Sequence, residues 1–96
     1  MKELSFVWDP RKALANRRKH GVSFEEAQTV FYDEKAMEFY DPDHSDAEDR
    51  YLMLGISAKL RVLIVSYCYR KDHEAIRIIS ARKANSKEEK QYGGDK

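Results

Sequence analysis

The sequence predicts an α+β domain. Two helices cover one face of an antiparallel sheet of about four strands, with a short strand before them and a short helix at the C-terminal end. Three observations carry this. Helix start and stop signals crowd the first third of the chain. Runs of β-branched and aromatic residues, separated by turns of a few residues, fill the second half. The 96-residue length supports one modest core, burying roughly 60–65% of the surface the unfolded chain exposes. Residues 1–92 read as a single domain and 93–96 as a flexible tail.

Phe6-Val7-Trp8 is apolar and strand-like. Asp9-Pro10 starts a helix, since Asp accepts from free N–H groups and Pro suits the first helical position. That helix runs from Arg11 to His20 and stops at Gly21. Arg17-Arg18-Lys19-His20 fill its last turn, where the helix dipole favours positive charge. Ser23-Phe24-Glu25-Glu26 fits a capping box and opens a second helix, with Val22, Ala27, Val30 and Phe31 as its apolar stripe. Residues 35–40 form a strand, and 41–46 a loop by composition. Tyr51 to Ser57 is a strand in which Gly55 marks a bulge or a close backbone approach. Ala58-Lys59 makes a tight turn, and Leu60 to Tyr69 is the strongest strand. Residues 70–74 turn the chain into a last strand, Ala75 to Ala81, whose continuous apolar centre predicts burial on both faces. Asn85 or Ser86 caps a helix from Lys87 to about Tyr92. Strands joined by such short turns run antiparallel. With both helices on one face, the other is left open to a ligand or partner.

Composition narrows the class. With 42% hydrophobic and 36% charged residues, six Tyr, four Phe and one Trp, the chain folds rather than remaining disordered. The longest apolar run, Val62-Leu63-Ile64-Val65, is far short of the ~18 residues of a membrane span. The N-terminus lacks the features of a signal peptide. A single Cys excludes an internal disulfide and a cysteine-based zinc site. A cytoplasmic protein with no cofactor and no metal is expected. The net charge of +1 hides zoning: residues 1–24 carry +4, residues 25–50 carry −8 and residues 51–96 carry +5. Two distant basic segments can assemble one basic face, for which a phosphate backbone is the fitting partner.

The segment Phe6-x-Trp8-Asp9-Pro10-x-Lys12-Ala13-x-x-Asn16-x-x-Lys19-His20-Gly21-Val22-Ser23-Phe24-Glu25-Glu26-Ala27 forms a distinctive block. Together with Asp41, Asp46 through Arg50, Gly55, Arg61, Tyr67 and the run from Ile76 to Ala84, it closely resembles the BrnT family over residues 5 to 92. The resemblance implies a fold similar to the RelE-like ribonucleases and a type II toxin that cuts RNA and arrests translation. It implies a BrnA-like antitoxin with a ribbon-helix-helix DNA-binding module. The two are expected to form a 2:2 heterotetramer that represses its own operon.

Metal-independent RNA cleavage uses the 2′-hydroxyl as nucleophile. It needs a base for the 2′-hydroxyl proton, an acid for the leaving 5′-oxygen, and cations facing the phosphate. General acid–base help is worth roughly 10²–10⁴-fold, and positioned charge adds to it. His20 is the leading proton-transfer candidate, its alternative being a helix-capping role. Lys19 beside it is a phosphate contact or a solvated lysine. Arg61 shares a strand face with Leu63, Val65, Tyr67 and Tyr69. An arginine there holds a phosphate or an internal acid, and the sequence leaves both open. Arg77 is weighed likewise. His20, Arg61 and Arg77 form the expected catalytic set. Lys19, Arg82, Lys83 and Tyr67 form the expected RNA-binding set, with Tyr67 and Tyr69 either stacking on bases or filling the core. Trp8 and Cys68 read as core residues. Asp41, Asp43, His44 and Asp46 lack the spacing of a calcium loop and read as an acidic loop, available to a basic antitoxin or to Arg50.

Two other function classes compete. A chain that never cuts RNA would serve as a co-repressor on a DNA-bound antitoxin. A plain protein-interaction module would bind without the steep salt dependence of phosphate contacts.

Overall fold

The computed structural model describes residues 4–70 and 74–93. The chain runs β1 (Phe6–Val7), α1 (Pro10–His20), α2 (Phe24–Thr29), a 3₁₀ turn (Val30–Tyr32), β2 (Met37–Tyr40), a 3₁₀ turn (Pro42–His44), β3 (Tyr51–Ile56), β4 (Val62–Arg70), β5 (Ala75–Lys83) and α3 (Ser86–Tyr92). Of the turn expected at 70–74, residues 71–73 lie outside the described residues, as do residues 94–96 of the tail expected at 93–96. Gly93 is described as the C-terminal cap of α3, its N–H on the Glu89 carbonyl at 3.0 Å.

The caps explain the helices. Asp9 accepts from the Arg11 N–H at 2.8 Å, and Gly21 closes α1 at φ 70° with its N–H on the Arg17 carbonyl. Ser23 accepts from the Glu26 N–H at 3.0 Å. The Glu26 side chain does not complete the expected capping box; it turns inward. A complete capping box sits instead at α3, where Asn85 and Glu88 cap each other.

The sheet has five strands in the order β1-β5-β4-β3-β2. Strands β2 to β5 form the expected antiparallel meander. The sheet is mixed rather than wholly antiparallel, because β1 joins β5 in parallel through Phe6↔Ile76 and Val7↔Arg77. No short turn links these two strands, so nothing forces them to be antiparallel. The continuous apolar centre of β5 does not mean burial on both faces. A register shift in the β4–β5 ladder passes from Ser66↔Ser80 to Tyr67↔Ile78 and leaves Ile79 without a cross-strand partner. This extra residue keeps Ile76, Ile78 and Ala81 all in the core.

Val22, Phe24, Ala27 and Val30 pack against Leu63, Val65, Tyr67, Ile76, Ile78 and Ala81. Each fully buried large apolar side chain contributes roughly 1.5–3 kcal/mol. Trp8 packs at the margin, edge-on to Phe24 with centroids 5.9 Å apart. Gly55 sits in a regular pair with Leu63, so the close approach, not a bulge, explains it. A Cβ there would stand 2.9 Å from Val30 Cγ1 and 3.0 Å from the Ala36 Cβ. The β3–β4 turn is longer than expected: Leu60 lies in it at φ 63° and is largely exposed, and the Ser57 N–H pairs with the Arg61 carbonyl at 2.8 Å.

Asn16 fixes α1 to the sheet. Its Nδ2 donates to the carbonyls of Val22 and Ala81, both at 2.9 Å, and its Oδ1 accepts from the Ala81 N–H at 3.1 Å. One buried amide thus takes the place of a neighbouring strand at Ala81, beyond the end of β1.

Candidate nucleic-acid interface

Helix α1 presents Arg11, Lys12, Arg17, Arg18, Lys19 and His20. Among the described residues none of these has an ion pair or a side-chain hydrogen bond. Lys12, Asn16 and Lys19 recur at helical spacing. With Ala15, His20, Ile79 and Ser80 they line a shallow cleft of about 220 Å³ between α1 and β5. Lys19 and His20 are therefore brought together at the sheet, with Asn16 setting the distance between helix and strand.

Arg61 is held differently. Its Nε donates to Glu26 Oε2 at 2.9 Å, and its Nη2 donates to Glu26 Oε1 and to the Gly21 carbonyl, the latter at 3.1 Å. Ser57 Oγ donates to Glu26 Oε2 at 2.7 Å. The Glu26 side chain is 2% exposed. The Arg61 hydrogen bonds hold its carboxyl below the usual value against the opposing effect of burial, and Ser57 adds to them. Of the two partners open to Arg61 in the sequence, the internal acid is the one present. Through Gly21, Arg61 also braces the residue next to His20. With Leu60, Val62, Lys83, Ala84 and Glu89 it lines a second hollow of about 490 Å³.

Arg77 and Arg82 face the other side of the sheet. Arg77 is the cross-strand partner of Cys68, and Arg82 of Ile64. Arg77 Nη2 donates to Glu48 Oε2 at 3.0 Å. Arg82 makes a two-pronged contact with Glu88, both bonds at 2.9 Å. The expected catalytic set of His20, Arg61 and Arg77 is thus not one cluster. Arg61 adjoins the α1 end that carries His20, while Arg77 stands on the opposite face.

Tyr67 requires a correction as a stacking residue. It is 0% exposed, edge-on to Phe31 with centroids 4.8 Å apart, and it donates its hydroxyl to Glu38. No face of the ring is left for a base. Burial, then the Glu38 hydrogen bond, push its phenol far up, so it stays protonated. Tyr69 donates to the same Glu38 oxygen at 2.7 Å. Cys68 is buried, and that burial pushes its thiol up as well.

In the acidic loop, His44 Nδ1 meets Asp41 Oδ2 at 2.9 Å. Among the described residues no group of three or more His, Cys, Asp or Glu side chains is placed to hold a metal ion, and no helix is long and apolar enough to cross a membrane. Sequence reasoning missed four residues: Asn16, Glu26, Glu38 and Glu48. Asn16 and Glu26 both stood within the distinctive N-terminal block, but without a role that pointed inward.

The fold defines a small α+β domain with a mixed sheet, whose basic helix α1 has no ion pair among the described residues. Comparison with known proteins narrows this. Residues 8–88 match the family model described as "Ribonuclease toxin, BrnT, of type II toxin-antitoxin system". The chain belongs to this family. Its fold is similar to that in the 1.1 Å crystal structure of the Brucella abortus ribonuclease toxin BrnT, with a TM-score of 0.66 and 26% identity, covering 88% of this chain and 100% of that one. Among curated proteins no match is found.

Proposed function

We propose that this protein is the endoribonuclease toxin of a type II toxin–antitoxin pair, cutting RNA without a metal and so inhibiting translation. Its antitoxin is a BrnA-like ribbon-helix-helix protein, which occludes the basic surface in a 2:2 complex that also represses the operon. Family membership supports the toxin and its activity class. The single observation that carries the site is the contrast in charge pairing. The cations of α1 have no acid partners among the described residues, whereas Arg61, Arg77 and Arg82 are each engaged by a glutamate.

Lys12 and Lys19 take a backbone phosphate in the cleft, and Lys83 extends the contact past the hollow at Arg61. His20, on the cleft wall, moves the proton at the 2′-hydroxyl. The 2′-oxygen bonds to phosphorus as the bond to the 5′-oxygen breaks, and a proton goes to that leaving oxygen. The products are a 2′,3′-cyclic phosphate and a 5′-hydroxyl. Arg61 acts as a positioning residue that holds the Lys19-His20-Gly21 end of α1 against the sheet.

Induced expression in a bacterial host tests this, with growth and total RNA followed over the first minutes. Rapid arrest with fragmented RNA, relieved by co-expression of the antitoxin, is expected. Normal growth with intact RNA, together with operator binding only in the antitoxin's presence, would favour the co-repressor instead.

A further inference from the structure

On the face of the sheet away from α1 and α2, two guanidinium groups converge on one carboxylate. Arg77 Nη2 donates to Glu48 Oε2 at 3.0 Å, and Arg50 Nε stands 3.7 Å from the same oxygen, beyond hydrogen-bond reach. The Arg50 Nε is itself enclosed, and no acceptor meets it among the described residues. A buried charged donor left without an acceptor is costly and marks a place where one fits. Two cations share one acid, so the cluster keeps an uncompensated positive charge. The side chains of Glu48, Arg77 and Arg50 are 36%, 32% and 28% exposed, so a ligand can reach them.

The loop that delivers Glu48 is tied at its base, and beside Glu48 the Asp49 Oδ1 accepts from the Tyr40 hydroxyl at 3.0 Å. The Asp41 N–H donates to the Arg50 carbonyl at 2.9 Å, and Ser45 Oγ accepts from the Arg50 N–H at 2.9 Å while donating to the Asp41 carbonyl at 2.6 Å. Displacing the Glu48 side chain breaks its contacts with Arg77 and the Cys68 thiol and leaves the backbone ties of the loop to Arg50 in place. A phosphodiester has the charge of a carboxylate and two free oxygens, enough to serve Arg77 and the orphaned Arg50 Nε together. Ser80, which lines the Lys19–His20 cleft, follows Arg77 on β5 by roughly 10 Å of strand. One nucleic-acid strand can therefore reach both.

We propose that Arg50 and Arg77 form a binding site for a backbone phosphate of nucleic acid, which the Glu48 carboxylate fills in the free protein until a phosphate displaces it. Only the source of the phosphate rests on the ribonuclease reading.

The test is a salt series of binding to a single-stranded DNA oligonucleotide, which cannot be cut through a 2′-hydroxyl. Wild type is compared with Glu48→Gln, with Asp46→Asn as a charge control on the same loop, and with Glu48→Gln combined with Arg77→Gln. Glu48→Gln should tighten binding roughly tenfold and steepen the salt slope by about one phosphate. The control should change little, and the combined variant should lose the gain. Equal gains from Glu48→Gln and Asp46→Asn, or a gain that survives loss of Arg77, would overturn the site. A second measurement needs no variant that alters the loop: the ¹⁵N resonances of the arginine Nε groups, followed as the same oligonucleotide is added to wild type. Shifts at Arg50 and Arg77 are expected, and shifts confined to Arg11, Arg17 and Arg18 would contradict the proposal. Inorganic phosphate alone is the competing probe; if it shifts Arg50 and Arg77 and the oligonucleotide does not, the backbone assignment fails. Parallel incubation with RNA separates the two readings, since absence of cleavage by every variant would remove the ribonuclease and leave the binding result standing.

Discussion

Arg61 and Glu26, 35 positions apart in sequence, meet as a two-pronged ion pair that joins the start of β4 to α2, with a third bond from Arg61 to the last cap of α1. Removing one partner of such a buried pair strands the other. Arg61→Ala should therefore destabilise the fold by about 3 kcal/mol, towards the low end for such pairs because the guanidinium is itself partly exposed. Urea unfolding checks this. If Arg61 acts by positioning, Glu26→Gln should depress RNA cleavage as Arg61→Ala does. If Arg61 touches RNA directly, only the arginine variant should.

The same pair sets a pH dependence. The folded-state value of Glu26 lies below its ordinary 4.5, held there chiefly by Arg61. The stability it contributes is complete above pH 4.5 and is lost as pH falls through the lower folded value. Glu88, lowered by its bonds to Arg82 against burial, behaves the same way. The urea midpoint of wild type should fall on acidification below pH 4.5, and that of Glu26→Gln should fall less.

Asn16 stands in for a strand neighbour at Ala81. Asn16→Ala should cost about 2–3 kcal/mol, because it leaves a buried N–H and two carbonyls short of partners. Hydrogen exchange at the Ala81 amide should accelerate well beyond that of Ile78. Equal protection at Ala81 in both proteins would contradict the clamp.

Tyr67→Phe isolates the corrected residue. Loss of the hydroxyl removes one of two tyrosine donors to Glu38, at a cost of about 1 kcal/mol. RNA affinity should be unchanged, since the ring meets no solvent. A fall in affinity without a fall in melting temperature would return Tyr67 to the RNA surface.

Gly55→Ala should destabilise by about 1–3 kcal/mol, the usual cost of overpacking. The new methyl meets Val30, Ala36 and the carboxylate of Asp33. Asp33 cannot retreat freely, because it accepts from the Ile56 N–H at 2.8 Å and from the Tyr92 hydroxyl at 2.6 Å. That contact pushes the Tyr92 phenol up to about 12.

Much of this architecture was legible in the residues. Asp9-Pro10 and Gly21 bound α1 where the structure does, because caps are local chemistry. The antiparallel meander followed from short turns between β-branched runs. The parallel partner of β1 was not legible, since two residues show no periodicity and their partner lies 70 positions away. The β5 bulge disguised a one-sided strand as a two-sided one. At the site, Lys19 and His20 fall together because one helix carries both. The partners of Arg61, Arg77 and Arg82 depend on tertiary contacts that no local pattern encodes. Glu26 misled because S-x-x-E fits two roles, and burial beside Ser57 and Arg61 decides which one it fills.

In the proposed function the cations of the α1 cleft, which have no acid partner among the described residues, hold RNA for cleavage, rather than basic charge in general. The direct measurement is the rate of RNA cleavage in EDTA by purified wild type, by Lys19→Ala with His20→Ala, and by Arg11→Ala with Arg18→Ala. The two pairs sit on the same helix, but the second lies outside the cleft. Cleavage to 2′,3′-cyclic ends by wild type is expected, with a loss of roughly 100-fold or more in the cleft variant, as for removal of a general acid–base group, and near-normal rates in the control. Equal losses in both variants, or activity that vanishes in EDTA for wild type, would contradict it.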